Sequence, residues 1–200
     1  LLLYGNYAKK LMVKEGFDER RLFVIHNSLA YSRQLEIRNS IKPNDIYRNH
    51  FKNNNKNLVF VGRLTKEKKL DEIIHLIPEL KKAGLDANIT FVGDGTEREL
   101  LEKLTQKLGV ENNVWFYGAC YDEIKNAELL YNADLCISPG NVGLIAMHAL
   151  MFGCPIATHG DFKFQAPEFE SIVDGTTGIF FKRNDISDMV RVIKKWFSDG

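Results

Sequence analysis

Apolar residues arrive in short runs separated by helical patterns along most of this chain. Leu58-Val-Phe-Val61 is a continuous apolar run ending at Gly62, the pattern of a strand buried on both faces. Leu70, Ile73, Ile74, Ile77 and Leu80 then recur at helical spacing, with Gly84 beyond as a helix stop. The alternation repeats. Strands are predicted at Asn88–Val92, Val114–Tyr117, Asp134–Ser138, Pro155–Thr158 and Gly178–Phe181. Between them, Leu100, Leu101, Leu104 and Leu108 mark one helix, with Thr96 and Glu99 as its capping box. Asp122–Tyr131 and Val142–Phe152 give two more, the latter closed by Gly153. Ile186, Met189, Val190, Ile193 and Phe197 mark the last. Strands alternating with helices through short loops predict a parallel sheet with helices on both faces, a Rossmann-like α/β fold.

The first part of the chain is less regular. Tyr7–Glu15 reads as a helix, Leu22–Ile25 as a short buried strand and Gln34–Ile41 as a second helix. From Asn44 to Asn57 the sequence NDIYRNHFKNNNKN is rich in asparagine and poor in aliphatics, which predicts a linker or exposed loop. Three regions result: 1–43, a polar linker 44–57, and the regular α/β unit 58–200.

Composition narrows the function classes. The 200 residues are 44% apolar and 26% charged, as in an ordinary globular protein. Lys and Arg number 27 against 26 Asp and Glu, a net charge of +1, which argues against a nucleic-acid partner. No apolar run approaches the length of a membrane span. Cys120, Cys136 and Cys154 are widely spaced without a C-x-x-C pair, so they read as reduced, buried thiols of a cytosolic protein. The opening LLLYGNYAKK has no methionine, and the expectation is a chain that starts inside a longer protein.

Ligands of parallel sheets bind at the carboxyl ends of the strands. The loop after the first regular strand is Gly62-Arg-Leu-Thr-Lys-Glu-Lys-Lys69. Arg63 at the strand end and Lys68 at the helix start suit a diphosphate, the first by bidentate contact and the second as a point charge. Lys66 and Lys69 read as solvated. Ser138-Pro-Gly-Asn-Val-Gly-Leu144 joins a strand to a helix whose first N–H groups are a ready anion site. His148 lies farther along that helix among apolar neighbours, where a core histidine is the plainer reading. Asp161, Glu168 and Glu170 either orient sugar hydroxyls or are plain solvated carboxylates. No strand is followed by G-x-G-x-x-G, and neither a P-loop nor a G-x-S-x-G elbow occurs. No carboxylate pair suits a metal, and no cofactor is expected.

Taken in order, five segments resemble the donor-binding, C-terminal half of a GT-B glycosyltransferase of the family 4 (group 1) type. They are VFVGRLTKEKKLDEII, ITFVGDGTERELLEKL, VWFYGAC, ADLCISPGNVGLIAMHALMFGCPIATH and ESIVDGTTGIFF. The resemblance implies a nucleotide-diphosphate sugar as donor substrate, with Arg63 and Lys68 neutralising its diphosphate. The N–H groups near Gly143 and Leu144 hold the distal phosphate. The loop Gly118, Ala119, Cys120 and Asp122 faces the nucleobase. The family carries two glutamates, one touching the donor sugar and one the ribose. Aligned on Gly143-Leu144, those positions hold Gly140 and His148. Asn141 then takes the sugar and His148 the ribose. No catalytic residue is assigned.

IHNS resembles the family's strand-then-turn element, so residues 1–43 imply the tail of an N-terminal acceptor domain and the interdomain connection. The implied enzyme is retaining and metal-independent, with a glycan or lipid-linked acceptor in surface polysaccharide biosynthesis. It implies a cytoplasmic protein, at the inner face of the membrane where the acceptor is lipid-linked. Nine basic against five acidic residues in the first fifty agree with that placement. A donor half alone is expected to be inactive. The alternatives are a non-catalytic nucleotide-sugar-binding homologue, favoured by the missing glutamates, and a GT-B enzyme of the UDP-sugar 2-epimerase type.

Overall fold

Each apolar run of the regular region becomes a strand of one six-stranded sheet in the computed structural model, which describes residues 1–198. The strands are β3 (Lys56–Val61), β4 (Ala87–Val92), β5 (Val114–Gly118), β6 (Leu135–Ser138), β7 (Ile156–His159) and β8 (Gly178–Phe181). All pairings are parallel, in the order β5-β4-β3-β6-β7-β8. The helices between them are α4 (Leu70–Lys82), α5 (Arg98–Leu108), α6 (Glu123–Asn132), α7 (Ile145–Met151) and α8 (Ile186–Ser198). This is the expected Rossmann-like arrangement.

Alternation along the strands divides the core in two. Leu58, Phe60, Ile89 and Phe91 face α4, α5 and α8. Val59, Val92, Cys136 and Ile156 face α6 and α7. Cys136 and Cys154 are buried, as small apolar residues are, and Cys120 is half-buried. Sheet order reverses between β3 and β6. That reversal opens a crevice at their carboxyl ends, bounded by the loops 62–69 and 139–144.

The first region departs from expectation. Leu22–Ile25 is not a buried strand. Only Phe23–Val24 (β2) is extended, paired in parallel with Leu2–Leu3 (β1) in a separate two-stranded sheet. Leu22 is buried, but Phe23 is 58% exposed. The two strands are joined through α1 (Asn6–Lys14), and α2 (Tyr31–Ser40) follows.

The stretch 44–57 is not a bare loop either. It contains α3 (Ile46–Phe51), and Lys56 and Asn57 already belong to β3. Tyr47 is buried and donates its hydroxyl to the Leu129 carbonyl at 2.7 Å. The asparagines build a network around buried Asn88. The Asn88 amide donates to Asn53 Oδ1 at 2.9 Å and Asn57 Oδ1 at 3.2 Å, and accepts from Asn113 Nδ2 at 3.1 Å. A buried amide needs such partners, and they lie on segments far apart in sequence.

Two helix starts also move. Thr96 does not cap α5. Glu97 precedes the helix and no side chain caps it, and the Glu97 N–H donates to the Leu64 carbonyl. The helix expected from Val142 begins only at Ile145. Among the described residues, no helix is long and apolar enough to cross a membrane.

Candidate functional site

The loop leaving β3 is anchored by Leu64, which is fully buried and donates its N–H to the Asp94 carbonyl at 2.9 Å. That anchor leaves Arg63 exposed at the strand end, with no ion pair or side-chain hydrogen bond among the described residues. Lys66–Lys68 then forms one 3-10 turn. The turn aims Lys68 across the crevice at the second loop. Lys68 Nζ donates to the Asn141 carbonyl at 2.8 Å and to Asn141 Oδ1 at 2.6 Å. Burial pushes the Lys68 pKa down, while the carboxylates of Glu168 and Glu67 act against that shift.

The second loop is shaped to receive this turn. The Gly140 N–H donates to the Lys68 carbonyl at 3.1 Å. A Cβ on Gly140 would stand 2.3 Å from the Glu67 carbonyl oxygen, so glycine is required by the close approach of two backbones. The same contact removes Gly140 as a carrier of any side-chain role towards a sugar. Asn141 is exposed beside it, with its amide Nδ2 unused among the described residues.

The next two residues explain the late start of α7. Gln165 Oε1 accepts the Val142 N–H at 2.9 Å, and Gly143 sits at φ 58°. The N–H groups of Gly143, Leu144 and Ile145 then find no protein acceptor among the described residues. Three unsatisfied donors at a helix start attract an anion. Gln165 was invisible to sequence reasoning. Its amide also donates to Thr158 Oγ1 and the His159 carbonyl, both at 2.9 Å, so it fixes the phosphate-side loop to β7.

The other expected residues lie on α7 and in the segment from β5 to α6. His148 is half-buried on α7, and burial pushes its pKa down. Gly118 ends β5 and its carbonyl accepts the Gly93 N–H at 2.8 Å. Ala119 is exposed, and the Cys120 carbonyl is held by Asn126 Nδ2 at 3.0 Å. Asp122 caps α6 by accepting the N–H groups of Ile124 and Lys125, at 2.8 and 3.2 Å.

The three carboxylates of the loop after β7 are not plain solvated groups. Glu170 accepts the N–H groups of Asn6 and Tyr7 at the start of α1, at 2.8 and 2.5 Å. Glu168 Oε1 accepts from Asn27 Nδ2 at 3.0 Å. Asp161 lies 4.0 Å from Arg183. Two of the three therefore tie the first region to this loop. A hollow of about 670 Å³ adjoins Lys56, Arg191 and Trp196, at the opposite end of β3 from Gly62. It contains none of the residues above. No cluster of three or more His, Cys, Asp or Glu among the described residues is placed to hold a metal ion.

His159 at the end of β7 gives the site a pH dependence. It is 1% exposed, and its Nδ1 accepts the Asp161 N–H at 3.2 Å. Burial, then the Arg183 and Lys69 charges, lower its pKa to about 4, with Asp161 opposing. The unfolded chain takes up this proton near pH 6.5. The stability from neutral His159 is therefore complete above about pH 6.5 and is lost as the pH falls towards 4, by up to roughly 3 kcal/mol. Unfolding by urea at neutral and mildly acid pH should show a weaker acid loss in a His159→Asn variant. Parallel pH profiles for the two proteins would show that His159 does not carry it.

Comparison with known proteins yields a family and a fold. The family model described as "Glycosyl transferases group 1" matches residues 42–200. An uncharacterised protein of the cps region of Klebsiella pneumoniae is 25% identical over 196 residues, covering 96% of this chain and 50% of that protein. The GDP-mannose-dependent alpha-(1-6)-phosphatidylinositol dimannoside mannosyltransferase of Mycobacterium tuberculosis is 36% identical over 101 residues, covering 49% of this chain and 26% of that protein. Among solved structures, HepE of Anabaena in complex with UDP superposes with a TM-score of 0.78 at 19% identity, over 99% of this chain and 54% of HepE. That likeness concerns the fold, one half of a GT-B architecture. The chain thus spans about half the length of these proteins or less.

Proposed function

The chain belongs to the group 1 glycosyl transferases, and from that premise we propose that it forms the donor-binding half of a glycosyltransferase that uses a nucleotide-diphosphate sugar. The observation that carries the reading is the crevice between β3 and β6. Arg63 ends β3 without an ion pair or side-chain hydrogen bond among the described residues, and Lys68 reaches Asn141 on the loop after β6, where the N–H groups of Gly143 and Leu144 find no protein acceptor among the described residues. A departing nucleoside diphosphate gains negative charge as the bond to the sugar breaks. Donors already fixed in place stabilise that charge without reorganising. They do so without calling on a divalent metal. Two similar proteins, one GDP-mannose-dependent and one solved with UDP, agree with a diphosphate ligand.

The remaining roles follow the crevice. Asn141, through its free amide, serves the donor sugar. His148 serves the ribose as a neutral imidazole, with one donor and one acceptor. The loop of Gly118, Ala119, Cys120 and Asp122 borders the nucleobase. The acceptor is a glycan or lipid-linked glycan, as suits a relative from a cps region. It would be held by a partner domain that closes over the donor, with retention of configuration, in the cytoplasm or at the inner membrane face. The chain alone would then bind the nucleotide and transfer little. A nucleotide-sugar-binding homologue without transfer is the second reading. Its support is that neither Gly140 nor His148 supplies a carboxylate.

Calorimetric titration with UDP, GDP and ADP, each beside its free nucleoside, tests the proposal. One diphosphate should bind at least tenfold tighter than its nucleoside, since ionic hydrogen bonds each contribute about 1.5–3 kcal/mol. Equal binding of both, or binding of neither, would rule out the diphosphate site.

A further inference from the structure

One peptide bond in the loop after β6 is held from both sides. The Asn141 carbonyl accepts Lys68 Nζ at 2.8 Å and Ser138 Oγ at 3.3 Å. The N–H of the same peptide, on Val142, donates to Gln165 Oε1 at 2.9 Å. Val142 is 1% exposed, and its N–H has no backbone acceptor among the described residues. Gln165 therefore supplies the partner that a buried N–H requires. Because a peptide is planar, fixing its N–H also fixes the direction of its carbonyl. Gln165 thus sets the direction of the oxygen on which Lys68 Nζ rests.

The Gln165 amide is itself committed at both of its ends. Its Nε2 donates to Thr158 Oγ1 and to the His159 carbonyl, both at 2.9 Å. Thr158 Oγ1 in turn donates to the Ser138 carbonyl at 2.8 Å. Thr158 and His159 are both buried. Turning the amide over would set its NH₂ against the Val142 N–H and its oxygen against the His159 carbonyl, so one orientation alone satisfies these groups. The backbone of Gln165 leaves a 3-10 turn, Phe162–Phe164, and Phe162 stacks on Phe169 with ring centres 4.2 Å apart. The side chain is thereby supported on β7, an interior strand, rather than on the loop that it holds.

We infer that Gln165 is a positioning residue for diphosphate binding and that it acts through Lys68, by way of the Asn141–Val142 peptide. The inference rests on the diphosphate reading above. Without Gln165 the buried Val142 N–H loses its acceptor, and the peptide turns to find another. The Asn141 carbonyl turns with it, and Lys68 Nζ loses its seat. The long side chain then spreads over its rotamers, and a ligand must order it on binding. Arg63 stands apart from this chain of contacts. Its side chain bonds to none of these groups among the described residues.

The test is a pair of double-variant cycles on the dissociation constant of whichever of UDP, GDP and ADP the parent binds. Gln165→Met keeps the length of the side chain and removes the amide. In the parent it should weaken binding about tenfold, the low end of what a hydrogen bond to a charged group contributes. In a Lys68→Ala background it should weaken binding less than about twofold, because the cation that it places is gone. In an Arg63→Ala background it should again cost about tenfold, since effects at sites without a shared partner add. A loop that had merely become looser would lose the same factor in both backgrounds. Thr158→Val removes one support of the amide and should show the same dependence on Lys68 with a smaller loss. It takes the place of Gln165→Met if melting curves show that variant unfolded at the assay temperature. Equal losses in the Lys68→Ala and Arg63→Ala backgrounds, or no loss in the parent, overturn the inference and leave the diphosphate site standing. Binding of no diphosphate by the folded parent overturns both.

Discussion

Replacing Arg63 and Lys68 together by alanine is expected to weaken nucleoside diphosphate binding by on the order of 10² to 10⁴-fold. Each removes a cation that meets phosphate oxygens, and hydrogen bonds to charged groups contribute about 1.5–3 kcal/mol apiece. The single variants should differ in kind. Arg63 has no partner among the described residues, so Arg63→Ala should cost affinity and leave the melting temperature where it was. Arg63→Lys should recover part of the loss, because a point charge replaces a planar fork. Lys68 does two jobs. Its Nζ holds the Asn141 carbonyl and Oδ1, so Lys68→Ala should also loosen the 139–144 loop and lower the melting temperature. Calorimetry at two salt concentrations completes the test, since exposed Arg63 is screened more than half-buried Lys68. A double variant that binds within about threefold of the parent would remove both residues from the site.

Elements with their own apolar signature were legible in the sequence. Leu58–Val61 is fully apolar and Asn88–Val92 carries three apolar residues in five, because both faces of a parallel strand are covered. Their boundaries move by only a residue or two in the structure. The loops at the carboxyl ends followed from that order, and with them Arg63, Lys68 and the glycine turn. Features made by distant partners were not legible. The asparagines of 53–57 read as a linker, yet their partners Asn88 and Asn113 lie in other elements. Tyr47 gave no signal because its acceptor is a backbone carbonyl on α6. Phe23 was assigned to a core because it sits in an apolar run, but a two-residue strand in a two-stranded sheet covers only part of it. Glu168 and Glu170 looked like solvated or sugar-binding groups. Their actual partners, Asn27, Asn6 and Tyr7, are more than a hundred residues away.

Gly140→Ala is expected to damage stability and diphosphate binding together, although it adds one methyl group. The new Cβ would lie 2.3 Å from the Glu67 carbonyl oxygen, 2.8 Å from Lys68 Cα and 3.1 Å from the Glu67 carbonyl carbon. All three are backbone atoms, so no side chain can rotate to make room. The Lys66–Lys68 turn must move away. The hydrogen bond from the Gly140 N–H to the Lys68 carbonyl then breaks, and Lys68 Nζ is carried from Asn141. Overpacking of this kind costs about 1–3 kcal/mol, and the lost hydrogen bond adds about 1 kcal/mol. Gly143→Ala is the matched control. Gly143 has φ 58° but nothing within 4 Å of a Cβ, so its cost is the left-handed backbone alone, about 1–2 kcal/mol. The contrast also explains residue 140 itself. A carboxylate at that position would need the room that the Lys68 turn occupies, so glycine there and the inward Lys68 belong to one packing solution. Urea unfolding with and without diphosphate separates the two effects, because bound ligand stabilises by RT ln(1 + [L]/Kd). Gly140→Ala should lose both intrinsic stability and most of the ligand-induced gain. Gly143→Ala should lose less stability than Gly140→Ala, with Lys68 still seated on Asn141. If Gly140→Ala unfolds and binds like the parent, the two loops do not meet at the crevice, and Lys68 is not held there for phosphate.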